Sequence, residues 1–194
     1  MLTRCLRRVK TEFDIKLGRD FYLKKAVGDK YAQDNEIKIF NYIEVGSCNK
    51  KGDVVSSETN SLANLPTRAR VLVEEFDVIT PKNISSLYST CIINTNVSGY
   101  LVSTGFFVFT NLSEKDSFLL WSSLRSDLVQ RQFYYLSTTA VQPELSKRYL
   151  EENVKIPIPI NDNADRIYKD VKLYNKLRHK LDDELNKLSN NLKF

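Results

Sequence analysis

The sequence predicts an α+β protein: a mixed, twisted β-sheet domain with packing helices, followed by a long C-terminal coiled-coil helix. Three observations predict it. Stretches rich in Ile, Val, Phe and Tyr recur between residues 37 and 109, separated by turn-forming Gly, Asn, Asp and Ser. From Ser113 the apolar spacing changes to that of a helix. Beyond residue 160, apolar residues recur in alternating four- and three-residue steps.

The elements follow in order. Residues 1–35 lack a clean period, and "TEFDIKLGRDFYLKKAVGDKY" is expected to hold one or two short helical turns and a loop. "IKIFNYIEV" (Ile37 to Val45) reads as a strand. "GSCNKKGD" supplies a turn at Gly52-Asp53, "VVSS" a short second strand, and "ETNSLANLPTRA" a polar loop. "RVLVEEFDVIT" resumes strand character, and "STCIINT" and "GYLVSTGFFVFT" are the strongest strands, joined by a turn at "NVSG". The last is read as one buried strand in which Gly105 permits a bulge. Ser113 sets up an N-cap with Asp116, and Phe118, Leu120, Trp121, Leu124 and Leu128 follow at helical spacing with Trp121 in the core. The polar loop "STTAVQPEL" ends that helix, and another short helix is expected at Pro143–Glu151. In "VKIPIPI", Pro157 and Pro159 remove backbone donors, which excludes helix and central strand and leaves an extended edge. The chain is thus divided into 1–159 and a heptad helix in 160–194.

Composition narrows the function classes. Among 194 residues, twenty Tyr and Phe and 42% hydrophobic residues argue for a folded core. No apolar run nears the roughly 20 residues that span a bilayer. The basic start "MLTRCLRRVK" lacks a signal-peptide core, so no membrane association and a cytoplasmic location are expected. Cys5, Cys48 and Cys91 are widely spaced and read as free thiols in a reducing compartment. The net charge of +5 is concentrated in residues 1–30, which hold nine Lys or Arg against four acids. Such a segment suits nucleic acid phosphates as well as plain solvation.

Catalytic readings find little support. The sequence has no glycine-rich phosphate loop, no nucleophile elbow and no Asn-Pro-Pro-type methyltransferase signature, and His179 is the only histidine. No cofactor and no metal are expected. Glu36 and Lys38, with Asp20 or Asp29 upstream, form a loose version of metal-dependent nuclease spacing, which is the weaker of two alternatives. The other is a non-DNA structural module whose heptad helix joins a complex.

Four short elements, in order, carry a more specific resemblance: Tyr42-Ile43-Glu44, Arg68-Ala69-Arg70, Ser103-Thr104-Gly105-Phe106 and Ile156-Pro157-Ile158-Pro159, followed by the heptad helix. Over about residues 37 to 190 the chain resembles a specificity subunit of a type I restriction-modification system: one target recognition domain followed by one helical spacer. Three departures stand out. Phe76-Asp77 replaces a common Gly-Asp pair, "STTAVQPEL" lacks a loop glycine, and "INDNADRI" replaces an acidic-glutamine element. Residues 1–35 match poorly.

The resemblance implies a non-catalytic subunit that reads double-stranded DNA and directs methyltransferase (modification) and restriction subunits to a target. There is room for one recognition domain only, so a half subunit, a truncated gene product or a fused-system relative all remain open. A half subunit implies a homodimer through the C-terminal helices. Candidate phosphate clamps are Arg68 and Arg70. Lys82 and Asn83 follow, where Asn83 either pairs with adenine or caps a turn. In the loop after the helix, Thr138, Thr139 and Gln142 are candidates, with Gln142 preferred for a base edge. Arg125 and Arg131 lie on the expected helix and face either DNA or solvent. The helix interface is expected at Ile167, Val171, Tyr174, Leu181, Leu185 and Leu188, with Arg178 in one apolar place and Leu177 beside it.

Overall fold

The computed structural model describes residues 13–18, 21–25, 39–86, 88–94, 99–138 and 141–191. The fold is α+β. The chain divides into two units, Ile15–Ile158 and a second comprising Met1–Asp14 and Pro159–Phe194. In chain order the strands are β1 (Phe13–Leu17), β2 (Phe40–Ile43), β3 (Glu58–Asn60), β4 (Ala69–Leu72), β5 (Val78–Pro81), β6 (Cys91–Ile92), β7 (Tyr100–Ser103), β8 (Phe106–Phe109) and β9 (Lys155–Pro159). The helices are α1 (Glu114–Leu124), α2 (Asp127–Leu136), α3 (Lys147–Asn153), all before β9, and α4 (Asn161–Asn191) after it.

Two sheets build the core. One has the order β3-β2-β7-β4, with β2 and β7 parallel, and the other has the order β6-β5-β8. Ile43, Val71 and Val102 from the first sheet pack with Ile79, Cys91, Phe106 and Val108 from the second. Phe40, Tyr42, Ala69 and Leu101 point to the other face of the four-stranded sheet, where Leu65 covers them. Burying side chains of this size stabilises the fold by about 1.5–3 kcal/mol each.

The chain crosses between these sheets three times, and two of the crossings, first β7–β8 and second β4–β5, correct the expected strand pattern. "GYLVSTGFFVF" is two strands rather than one: β7 belongs to the first sheet and β8 to the second. The bend at Thr104-Gly105 is fastened on every side. Ser103 Oγ accepts from the Gly105 N–H at 3.1 Å, Thr104 N–H donates to Arg68 O at 2.8 Å, and Gly105 O accepts from Lys82 N–H at 2.9 Å. A Cβ on Gly105 would stand 3.1 Å from Val45 Cγ2, a tight contact for which the valine side chain would have to shift by a few tenths of an ångström. "RVLVEEFDVIT" likewise splits into β4 and β5.

At that second crossing Phe76 has φ +67°. A phenylalanine thus keeps the left-handed turn for which glycine is better suited. Its N–H donates to Ile93 O at 2.8 Å, its carbonyl accepts from Ser117 Oγ, and Asp77 Oδ2 accepts from the Glu74 N–H at 2.9 Å. These bonds hold the conformation against its local cost.

Other expectations shift for equally local reasons. The segment expected as helical turns contributes β1, which pairs with β9. Nearby, Lys24 N–H bonds to Val108 O and Thr110 N–H to Tyr22 O, so residues 22–24 lie along the edge of β8. The short strand expected at "VVSS" is only a bridge between Val54 and Cys48, and the strand forms at Glu58–Asn60. Edge position explains its polarity: Thr59 Oγ1 donates to Asn41 Oδ1 on β2 instead of filling a core.

The helix after Ser113 starts where expected, with Ser113 Oγ accepting from the Asp116 N–H at 3.1 Å. It breaks at Arg125 because Ser126 caps a second helix, accepting from the Val129 N–H. The α1 helix packs on β5 and β6, and buried Trp121 donates to Thr90 O at 2.8 Å. Gly52, at φ +93°, lies against its indole; an added Cβ would stand 2.8 Å from Cζ2. Gly52→Ala should therefore cost about 1–3 kcal/mol through backbone strain and the displaced ring, read from urea unfolding with Trp121 fluorescence.

The proline strand β9 is an edge, as its sequence predicts. Side chains satisfy its backbone beyond β1: Gln132 accepts from Lys155 N–H at 2.8 Å and donates to Lys155 O at 2.9 Å. Ser123 Oγ donates to Pro157 O. An amide side chain here takes the part of a neighbouring strand.

Candidate nucleic-acid interface

The first crossing also gathers several of the predicted site residues. Arg68 sits at the end of the Pro66 turn, before β4. Its guanidinium lies 3.2 Å from Glu44 Oε2, with the two side chains 60% and 51% exposed. An ion pair so open to water contributes little to stability. Arg70 is half-buried within β4 and donates to Ala69 O at 3.1 Å.

Lys82 follows β5 and joins three segments. Its Nζ donates to Thr104 O at 2.6 Å, its carbonyl accepts from Leu145 N–H at 2.9 Å, and its ammonium stands 5.3 Å from the Phe107 ring centroid. Burial pushes the ammonium pKa below that of an ordinary lysine; the Glu144 carboxylate opposes this shift and the Lys147 charge adds to it. Asn83 Oδ1 accepts from Ser85 N–H at 2.8 Å, which caps the turn Ile84–Ser86. That bond uses one of the two lone pairs of the amide oxygen.

The loop after α2 is anchored to the same place. Thr138 N–H donates to Glu144 O at 3.1 Å, Glu144 N–H donates to Thr138 Oγ1 at 3.3 Å, and Ile84 N–H donates to Pro143 O at 3.2 Å. Gln142 is exposed within this loop, and Thr139 lies outside the described residues. Hydrogen bonds thus link the segments that carry Arg68, Thr104, Lys82, Asn83 and Thr138, with Gln142 carried on the same loop as Thr138.

Arg125 and Arg131 lie in a different cluster. The Arg125 guanidinium is 4.7 Å from the Trp121 ring and donates to Lys50 O at 2.7 Å and to Tyr88 O. Tyr88 has φ +71°; its N–H donates to Gln130 Oε1 at 3.0 Å and its hydroxyl to Asp127 Oδ1 at 2.9 Å. The bond to Asp127 raises the Tyr88 phenol pKa, and nearby Arg131 opposes the rise. Arg131 itself is exposed. Sequence reasoning missed Lys147 and Tyr88, whose neighbours come from distant parts of the chain.

In the second unit, α4 carries two distinct stripes. Tyr174, Leu177, Leu181, Leu185 and Leu188 form one and are between 53% and 60% exposed. Ala164, Ile167, Val171, Asn175, Arg178 and Asp182 form the other and are less exposed. At about 100° per residue the two lie roughly a quarter-turn apart. The Arg178 side chain is only 11% exposed, lying 3.9 Å from Asp182 and bonded to Asn175 at 3.3 Å. Leu177 accordingly takes the place in the leucine stripe that the heptad spacing assigns to Arg178.

Among the described residues, no group of three or more His, Cys, Asp and Glu could hold a metal ion, and no helix is long and apolar enough to cross a membrane. Residues Asp20, Asp29, Glu36 and Lys38 of the nuclease alternative lie outside the described residues.

Three solved structures similar to this chain come from type I restriction-modification systems. The HsdS subunit from Thermoanaerobacter tengcongensis matches with a TM-score of 0.69 and 22% identity, over 93% of this chain and 47% of that one. A chain from the structural study of complex assembly and conformational transition of the type I R-M system matches at 0.67 and 19%, over 91% and 44%. The S subunit of the type I system from M. genitalium matches at 0.57 and 14%, over 90% and 42%. No protein-family model and no curated protein sequence match the chain. The fold is therefore that of type I specificity subunits, and the chain spans about half their length.

Proposed function

We propose that the chain is a half-length specificity subunit of a type I restriction-modification system. One observation carries this reading: more than nine-tenths of the chain has the HsdS fold, and that match accounts for just under half of the HsdS chain. Residues 1–159 form a DNA target recognition domain and 160–194 a helix for pairing and spacing. Two copies join through the α4 leucines to assemble two DNA-reading lobes. The complex directs DNA methyltransferase subunits, and with them a restriction subunit, to its target in the cytoplasm. The chain itself is non-catalytic and needs no cofactor.

Arg68 and Arg70 hold phosphates on this reading, and Gln142 reaches a base edge. Arg68→Ala should weaken duplex binding to a similar extent for every sequence and lower the salt slope of log K by about 1. Fluorescence anisotropy between 50 and 200 mM salt reads both quantities. An unchanged slope removes Arg68 from the phosphate contacts. Absence of salt-dependent duplex binding by the wild-type chain favours the non-DNA interaction module instead.

A further inference from the structure

A pocket of about 120 Å³ opens beside Lys82. Lys24, Lys82 and Lys147 line it together with Thr104, Val71 and Phe107, and among the described residues no carboxylate-bearing residue lines it. The acids stand behind the lysines. Asp77 and Glu74 engage Lys24 at 2.8 and 3.3 Å, Glu151 engages Lys147 at 3.4 Å, and Glu144 acts on Lys82. We infer that this pocket is a seat for one phosphate oxyanion, closed on two sides by the ammonium groups of Lys82 and Lys147.

The volume fits: roughly 10–15 Å³ of such space holds one water molecule, and the pocket has several times that. The donors fit as well. The Lys82 ammonium has three hydrogens, and its bond to Thr104 O uses one. The Phe107 ring holds its position from one side. Burial is the main cause of the lowered Lys82 pKa and the Lys147 charge adds a smaller part, so an oxyanion beside both ammonium groups offsets both effects. The seat also lies where recognition elements meet, because Lys82 fastens both the Thr104-Gly105 bend and the loop ending at Leu145. This inference rests on the DNA-binding reading for the source of the phosphate, which is a backbone phosphodiester of the duplex.

The test uses the full chain with Lys147→Gln, Lys147→Arg and Glu144→Gln variants. Lys147 and Glu144 are exposed, so thermal unfolding should stay close to that of the wild type. Titration with inorganic phosphate at constant ionic strength should produce a saturable shift of the Lys82 ε-methylene NMR signal and raise its titration midpoint; sodium chloride should do neither. Duplex affinity should fall roughly fivefold or more in Lys147→Gln, with the salt slope reduced by about 1. Lys147→Arg should restore it, and Glu144→Gln should strengthen binding. Normal DNA binding by Lys147→Gln, with no response of Lys82 to phosphate, overturns the seat and leaves the DNA reading standing. Failure of the wild type to bind any duplex overturns the DNA reading; a Lys82 response to phosphate then assigns the seat to a free anion, and no response overturns it too.

Discussion

Replacing Asp77 with alanine should lower the unfolding free energy by about 3–5 kcal/mol, the usual cost of removing one partner from a buried ion pair. The carboxylate is 2% exposed and does two things at the second sheet crossing. It accepts from the Glu74 N–H at 2.9 Å, closing the turn in which Phe76 holds φ +67°. It also receives the Lys24 ammonium at 2.8 Å, where that side chain is 15% exposed. Alanine leaves the largely buried ammonium with the exposed Glu74 carboxylate, 3.3 Å away, and frees a backbone donor. Asp77→Asn should cost less, because an amide oxygen still caps Glu74 while the ion pair is lost. Urea unfolding of both variants, with Lys24→Met to complete a double-mutant cycle, measures the two contributions separately. A loss below about 1 kcal/mol for Asp77→Ala would assign the turn's stability to other bonds.

Leu181→Asp and Leu185→Asp should each convert a two-copy assembly into monomers, weakening association by 100-fold or more. Burying a leucine contributes about 1.5–3 kcal/mol, and each position occurs once in each of two paired helices. A carboxylate in the same seam lacks a partner and adds a desolvation cost. The variants should keep their circular dichroism, since both residues are exposed within one chain. Arg178→Leu supplies a contrast, because Arg178 lies on the neighbouring stripe with Asn175 and Asp182 and should alter pairing far less. Light scattering across a concentration series measures these changes. A wild-type chain that stays monomeric at high concentration contradicts pairing through α4.

The α4 helix and the β9 edge were legible in the sequence because each follows from a local rule: a 3.5-residue repeat, and two prolines that cannot donate. The capped start at Ser113 was legible for the same reason. The sheet crossings were hidden. Leu101, Val102, Phe106, Phe107, Val108 and Phe109 are all buried, so the apolar runs on either side of Ser103-Thr104-Gly105 read as one strand with a bulge although the chain leaves one sheet for the other there. Phe76 hid a left-handed turn because glycine is its usual signal and the bonds holding it come from Ile93, Ser117 and Asp77. The strand β1 depends on a partner about 140 residues away, β9, which no local pattern reveals.

The site was legible in part. Arg68, Lys82 and the loop carrying Gln142 were chosen from separate segments, and hydrogen bonds through Thr104 and Leu145 bring them together. The position of Arg125 depends on tertiary contacts with Trp121, Tyr88 and Lys50, which charge and helical spacing leave undetermined. The same reasoning applies to Lys147, which is one more exposed lysine until the fold places it in the pocket that Lys82 lines.

The proposal that two copies each read half of a split target is tested most directly by selecting duplexes from a random library on the full-length wild-type chain and sequencing those it retains. The account predicts two short half-sites in inverted orientation, separated by a spacer of fixed length, because identical lobes related by a two-fold axis meet the two strands alike. Enrichment of one continuous motif with no second half-site, or no enrichment over the starting library, would contradict it.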